Sequence, residues 1–169
     1  MVVARSNVTF TDDVRPSPSP SPTPAPDPRY LYPSDPDGMG VFAGLAGGSV
    51  LVSNHENSTL EPAKVPALAG LTYDPMAIGG TSTLTVDADG NRQGISTSLA
   101  GTDNNCAGGI TPWGTWLTCE ETERRKDTVI GGRTLQKDHG YVFEVDPASQ
   151  AANVDKSPVP APVPRSLLP

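Results

Sequence analysis

The sequence predicts an all-β fold of short antiparallel strands, flanked by proline-rich ends. Three observations carry this. Apolar residues alternate with polar ones or form short β-branched runs. Gly-Gly, Asp-Gly and Asp-Pro pairs separate those runs. No stretch places apolar residues at i, i+3 and i+4 over three helical turns.

The elements follow in order. Residues 16–28 and 158–169 are dense in proline, which fixes φ and removes a backbone donor, so neither is a helix or an inner strand. The chain therefore divides into a Pro/Ser-rich segment at 1–36, a foldable part at 37–150, and a Pro-rich tail at 151–169. Within the foldable part, Ser49–Ser53 follows Gly47-Gly48 and reads as a strand, with Met39–Ala43 as a weaker partner across the turn. Thr81–Val86 and Gly94–Ser98 flank Asp89-Gly90, a hairpin signal. Thr115–Thr118 and Gly140–Val145 read as two more strands, the second stopping at Asp146-Pro147. The strongest helix signal, Glu120–Asp127, is short and charged. A propeller blade is four such strands. The predicted strands supply one blade and part of the next, too few to close a ring, so the expectation is an incomplete part of a β-propeller with unpaired edges.

Charge and motifs exclude several classes. A net charge of −7 argues against nucleic acid, since phosphate backbones need dense Lys and Arg. No apolar run is long enough to span a bilayer, and no charged n-region precedes an apolar core at the start, so the chain as written carries no signal peptide. Serine-hydrolase, CxxC and zinc-finger spacings are absent.

The densest chemistry lies in residues 98–123, SLAGTDNNCAGGITPWGTWLTCEETE. Gly108-Gly109 permits close approach of a ligand, and a strand ends at Cys119-Glu120-Glu121. Strand residues alternate faces, so at most one of Glu120 and Glu121 shares a site with Cys106. A cysteine and a carboxylate from separate loops suit iron or zinc, and carboxylates also suit calcium. Two buried small thiols, or a disulfide between Cys106 and Cys119, remain open readings. Asn54-His55-Glu56 ends the strand at 49–53 and offers three donors to a hard cation, or a polar turn. Asp87 and Asp89 fit a hairpin turn, and His139 reads as structural.

The stretches Gly80–Asp87, Ser98–Thr102, Asn105–Glu121 and Asp138–Pro147, with Asp37–Gly40 and Val50–Glu56 upstream, resemble the PhoX alkaline phosphatase family, over about residues 37–147. The resemblance identifies the chain as an N-terminal fragment of such a protein. It implies a β-propeller, export from the cytoplasm, and hydrolysis of phosphate monoesters with ferric iron (Fe3+) and calcium (Ca2+). Carried over, Cys106 becomes an iron ligand and Glu121 a metal ligand, with Glu120 beside it and Glu56 as further candidates. The family's later blades bring more carboxylates and a basic phosphate-holding residue. The partners implied are phosphate-ester small molecules and the missing propeller blades, and the isolated chain is expected to be inactive. The competing readings are a non-catalytic calcium-binding propeller module and a lactonase-like metal hydrolase.

Overall fold

The structure is a computed structural model that describes residues 30–148 and the backbone of 151 and 152. The proline tracts at 16–28 and 158–169 lie outside the described residues. What is described is all-β, with one short 3-10 turn at Leu45–Gly47 and no α-helix.

Two four-stranded antiparallel sheets make up the body. The first runs β1 (Pro36–Ala43), β2 (Ser49–His55), β3 (Gly79–Val86) and β4 (Arg92–Thr102), each strand beside the next in sequence. The second contains β5 (Asn105–Ile110), β6 (Trp116–Glu120), β9 (Val142–Asp146) and β10 (Ala151–Ala152), again in chain order across the sheet. A small hairpin of β7 (Val129–Ile130) and β8 (Arg133–Thr134) is inserted between β6 and β9. Strands that follow one another through short turns pair antiparallel because a tight turn reverses the chain.

The predicted hairpins at 39–53 and 81–98 are present as β1–β2 and β3–β4. At the β3–β4 turn the Asp87 carboxylate accepts the backbone N–H of Asp89 and Asn91, as a turn-forming Asp does. Glu120–Asp127, the strongest helix signal in an otherwise strand-like sequence, is not helical, in keeping with the all-β expectation. Glu120 instead closes β6, and Arg124 makes an antiparallel bridge with His139. That segment has no apolar face to bury, so helix propensity had nothing to support it. Strand β5 falls in the Asn-Cys-Ala-Gly-Gly stretch that reads as a loop, and its pairing with β6 makes it a strand.

The core lies between the sheets. Val52, Leu99, Trp116, Phe143 and Val145 come from strands of both, and Tyr73 joins them from the β2–β3 connection. Fully burying side chains of this size contributes about 1.5–3 kcal/mol each. Gly40 on β1 makes room for the indole, since a Cβ there would stand 2.6 Å from Trp116 Cε3. A smaller cluster of Ala77, Ile130 and Leu135 fixes the β7–β8 hairpin to the same connection.

Candidate metal centre

β1 and β5, the edge strands that begin the two sheets, carry the same irregularity. In β1–β2 the register passes from Pro36↔His55 to Met39↔Ser53, and in β5–β6 from Asn105↔Glu120 to Gly108↔Thr118. Each is a bulge that sets one extra residue on the edge strand and re-aims its side chain. Asp37 stands on the first bulge and Cys106 on the second. Glu56 follows the end of β2 and Glu121 follows the end of β6. The residue before each edge strand has positive φ, Asp35 at 47° and Asn104 at 57°. Its carbonyl accepts from the matching glutamate, Glu56 N to Asp35 O at 2.8 Å and Glu121 N to Asn104 O at 3.1 Å. Asp and Asn tolerate that left-handed conformation better than other side chains.

These two devices bring four groups together. Ligand atoms of Asp37, Glu56 and Cys106 lie within 4.8 Å of one another. Glu121 stands close enough to Glu56 and Cys106 to raise the pKa of both, and its carboxylate accepts from Asn104 Nδ2 at 2.8 Å. Crowded acids hold protons tightly. Glu56 is raised to about 7, first by its hydrogen bond with Glu121, then by burial and by the charges of Glu121, Asp37 and Asp35. The Cys106 thiol is pushed up to about 12, first by its hydrogen bond to Asp37, then by burial and by Glu121.

Of the sequence candidates, Cys106, Glu121 and Glu56 therefore converge. Glu120 does not join them. As alternation requires, it turns to the buried face of β6 with Trp116 and Thr118. There its carboxylate accepts the backbone N–H of Asp103 at 2.8 Å, Gly140 at 2.6 Å and Tyr141 at 3.0 Å, and meets His139 Nδ1 at 2.7 Å. His139 Nε2 lies 3.3 Å from Asp74 Oδ2. Burial alone would lower the His139 pKa, but the hydrogen bonds and charges of Glu120, Asp74 and Asp103 outweigh it and hold it above the ordinary value.

Asn54 and His55, readable as donors from sequence, are fully buried and spoken for. His55 lies 3.0 Å from the Ser34 carbonyl through Nδ1 and 2.8 Å from Ser82 Oγ through Nε2, and burial lowers its pKa. The two cysteines are free. Asp37 is the member that sequence reasoning passed over as a ligand. A signal existed in the parallel between Asp35-Pro-Asp-Gly-Met-Gly40 and Asn104-Asn-Cys-Ala-Gly-Gly109.

One thiol and three carboxyl groups suit a cation on the chemistry of the donors. Carboxylates take calcium or iron, and a thiolate favours iron or zinc. Protons now shared among the acids are what a cation would displace. Among the described residues, no helix is long and apolar enough to cross a membrane.

A family model described as Alkaline phosphatase PhoX matches residues 12–161. No curated protein and no solved structure gives a significant match. The matched span contains both sheets and all four convergent groups. The chain belongs to the PhoX alkaline phosphatase family, whose members are metal-dependent, phosphatase-type hydrolases.

Proposed function

We propose that Asp37, Glu56, Cys106 and Glu121 are metal ligands, and that they form part of the centre of a phosphatase acting on phosphate monoesters outside the cytoplasm. The observation that carries this is the meeting of a thiol with three carboxyl groups delivered by two separate sheets. Ferric iron and calcium, the ions the family resemblance implies, would supply neutralisation of the phosphoryl charge.

The chain's own residues have the other tasks. Asp37 and Glu56 present oxygen donors from the first sheet. Cys106 presents sulfur and Glu121 oxygen from the second, with Asn104 Nδ2 fixing the Glu121 carboxylate. Glu120 holds the end of β6 through backbone N–H groups, so that the next residue is aimed at the cluster. Arg124 and Arg125 form ion pairs with Asp103 and Asp138, residues outside these four groups. On this reading, as the family resemblance implies, a basic residue of the later blades holds the phosphate.

Each sheet is a four-stranded up-and-down meander, which is the form of a propeller blade. We read the two as neighbouring blades, with β1 and β5 innermost and the cluster at one end of a central channel. A ring takes typically 4–8 blades, so the partners sought are further blades. On this reading the isolated chain binds cations and turns over substrate little or not at all.

A calcium-only module has no use for the thiol. The Asp87 carboxylate, an oxygen donor such a module could use, already accepts from Asn91 Nδ2 and Gln93 Nε2. The lactonase-like alternative likewise leaves Cys106 without a role.

Calorimetric titration of the purified chain with Ca2+ and Fe3+, followed by assay with p-nitrophenyl phosphate, tests the proposal. The expected result is cation binding that weakens in Glu56→Gln and Glu121→Gln, with hydrolysis near background. A folded chain that binds neither ion would refute the metal centre. Brisk hydrolysis would refute the need for further blades.

A further inference from the structure

Beneath the cluster one side chain ties the two sheets together. Asn54 lies on β2, two residues before Glu56, and is completely buried. Its Nδ2 donates to the carbonyl of Cys106 at 2.7 Å and to that of Ala107 at 3.0 Å. Its Oδ1 accepts from Trp116 Nε1 at 2.9 Å. The two carbonyls belong to the bulge between Asn105 and Gly108, where the ladder with β6 is interrupted. A bulge leaves backbone groups without ladder partners, and a carbonyl so freed is a strong acceptor open to a partner from elsewhere. Here they receive it from the opposite sheet.

The neighbouring strand is shaped for this contact. A Cβ on Gly38 would stand 2.5 Å from the Cys106 carbonyl and 3.2 Å from Asn54 Nδ2. The position matching Asn54 in the second hairpin is Cys119, a half-buried free thiol. The grip is thus specific to one hairpin, and to the bulge that carries the sulfur.

We propose that Asn54 is the positioning residue for Cys106: its amide, seated in the first sheet, grips both bulge carbonyls of the second and so delivers the thiol to the carboxylates. This rests on the metal-centre reading above. An amide suits the task because one nitrogen supplies two donors while the oxygen accepts from the indole. An aspartate of the same shape has no donor for the carbonyls and faces them with negative charge.

The test uses Co2+ as a probe for sulfur ligation, read from the thiolate-to-cobalt charge-transfer band in the near ultraviolet, and Ca2+ as a probe of the carboxylates. The variants are Cys106→Ser, Asn54→Asp and Trp116→Phe in the full chain, each checked for folding by circular dichroism. The expected wild-type band is absent in Cys106→Ser. In Asn54→Asp the band is lost and Co2+ affinity falls about 10–100-fold, the usual cost of removing a group that orients a ligand, while Ca2+ binding is kept. A folded Asn54→Asp with the wild-type band overturns the positioning role and leaves the metal centre standing. A wild-type chain without the band, or one matched by Cys106→Ser, overturns the thiolate reading and this proposal with it. Trp116→Phe decides the matter if Asn54→Asp fails to fold. It keeps an apolar ring in the core and removes the bond that orients the amide, so a weakened band supports the proposal and an unchanged one overturns it.

Discussion

The hairpins β1–β2 and β5–β6 use one backbone plan with different side chains beneath it. Both begin after a residue of positive φ, both carry a bulge one residue into the edge strand, and both end with a glutamate tied back to that first residue. The buried residues just before those glutamates differ. His55 is held by a carbonyl and a hydroxyl and sits edge-on to Tyr32. Glu120 is a carboxylate held by three backbone N–H groups and a histidine. The plan survives an exchange of imidazole for carboxylate because each is satisfied by its own surroundings. Backbone geometry sets where the donors meet, and local polar partners set what may lie under them.

The largest effect expected from this comparison is at Glu120. Glu120→Ala leaves three backbone donors and His139 without their acceptor in the interior, and should cost more than about 3 kcal/mol in urea melts. His55→Ala at the matching position removes fewer bonds and should cost roughly 1–3 kcal/mol. Equal losses at the two sites would break the contrast drawn above.

Next are the bulge residues. Cys106→Ser should weaken Co2+ far more than Ca2+, whereas Asp37→Asn should weaken both. Each change in affinity is expected to be at least about tenfold by calorimetry. Two variants with the same selectivity would mean that sulfur and oxygen do not divide the work between hairpins.

A smaller effect is the pH dependence of the metal-free chain. Glu56 and His139 are both raised in the fold. A raised group favours the protonated folded state, so its contribution is complete below its unfolded value and is lost as pH climbs through the folded one. For Glu56 that window runs from 4.5 to about 7, and for His139 it lies above 6.5. The midpoint of thermal unfolding should therefore fall between pH 5 and pH 8 (roughly the span of these windows). Glu56→Gln should flatten the lower part of the slope. A midpoint that rises over this range would contradict both assignments.

The smallest effect separates the two positive-φ residues. Asp35→Gly relieves a left-handed conformation and should change stability by about 1 kcal/mol or less. Asn104→Gly gains the same relief but loses the bond to Glu121, so it should fall below Asp35→Gly in chemical melts.

Much of this was legible in the sequence where side chains follow the rules of the element they occupy. Thr81–Val86 alternates, Asp89-Gly90 turns, and the strand at 140–145 stops at Asp146-Pro147, so β3, β4 and β9 were readable. β5 was not, because Asn105–Ile110 contains two glycines and no run of β-formers, and neighbouring β6 supplies the order. β7 and β8, two residues each, are too short to leave a periodic trace. In the site, alternation correctly allowed only one of Glu120 and Glu121 to face Cys106, and three of the four convergent groups were named. Asp37 escaped because its place beside Cys106 depends on a bulge, whose trace shows only when residues 35–40 are laid against 104–109. The tie made by Asn54 was hidden for the reverse reason, since the sequence left it as either a donor or part of a polar turn. A polar residue at a strand end looks free to bind a ligand, and nothing in one sequence reveals that another sheet's carbonyls will claim it.

The bulges have a consequence for how ion preference could be altered. Asp37 and Cys106 occupy corresponding points on two frames whose strand registers and strand-end contacts are set by other residues. A single codon change at either point would swap hard for soft donor atoms while leaving the scaffold's own bonds in place. In the proposed metal centre, selectivity would in this sense be a replaceable tip on a fixed handle, open to retuning by substitution without redesign of the sheet.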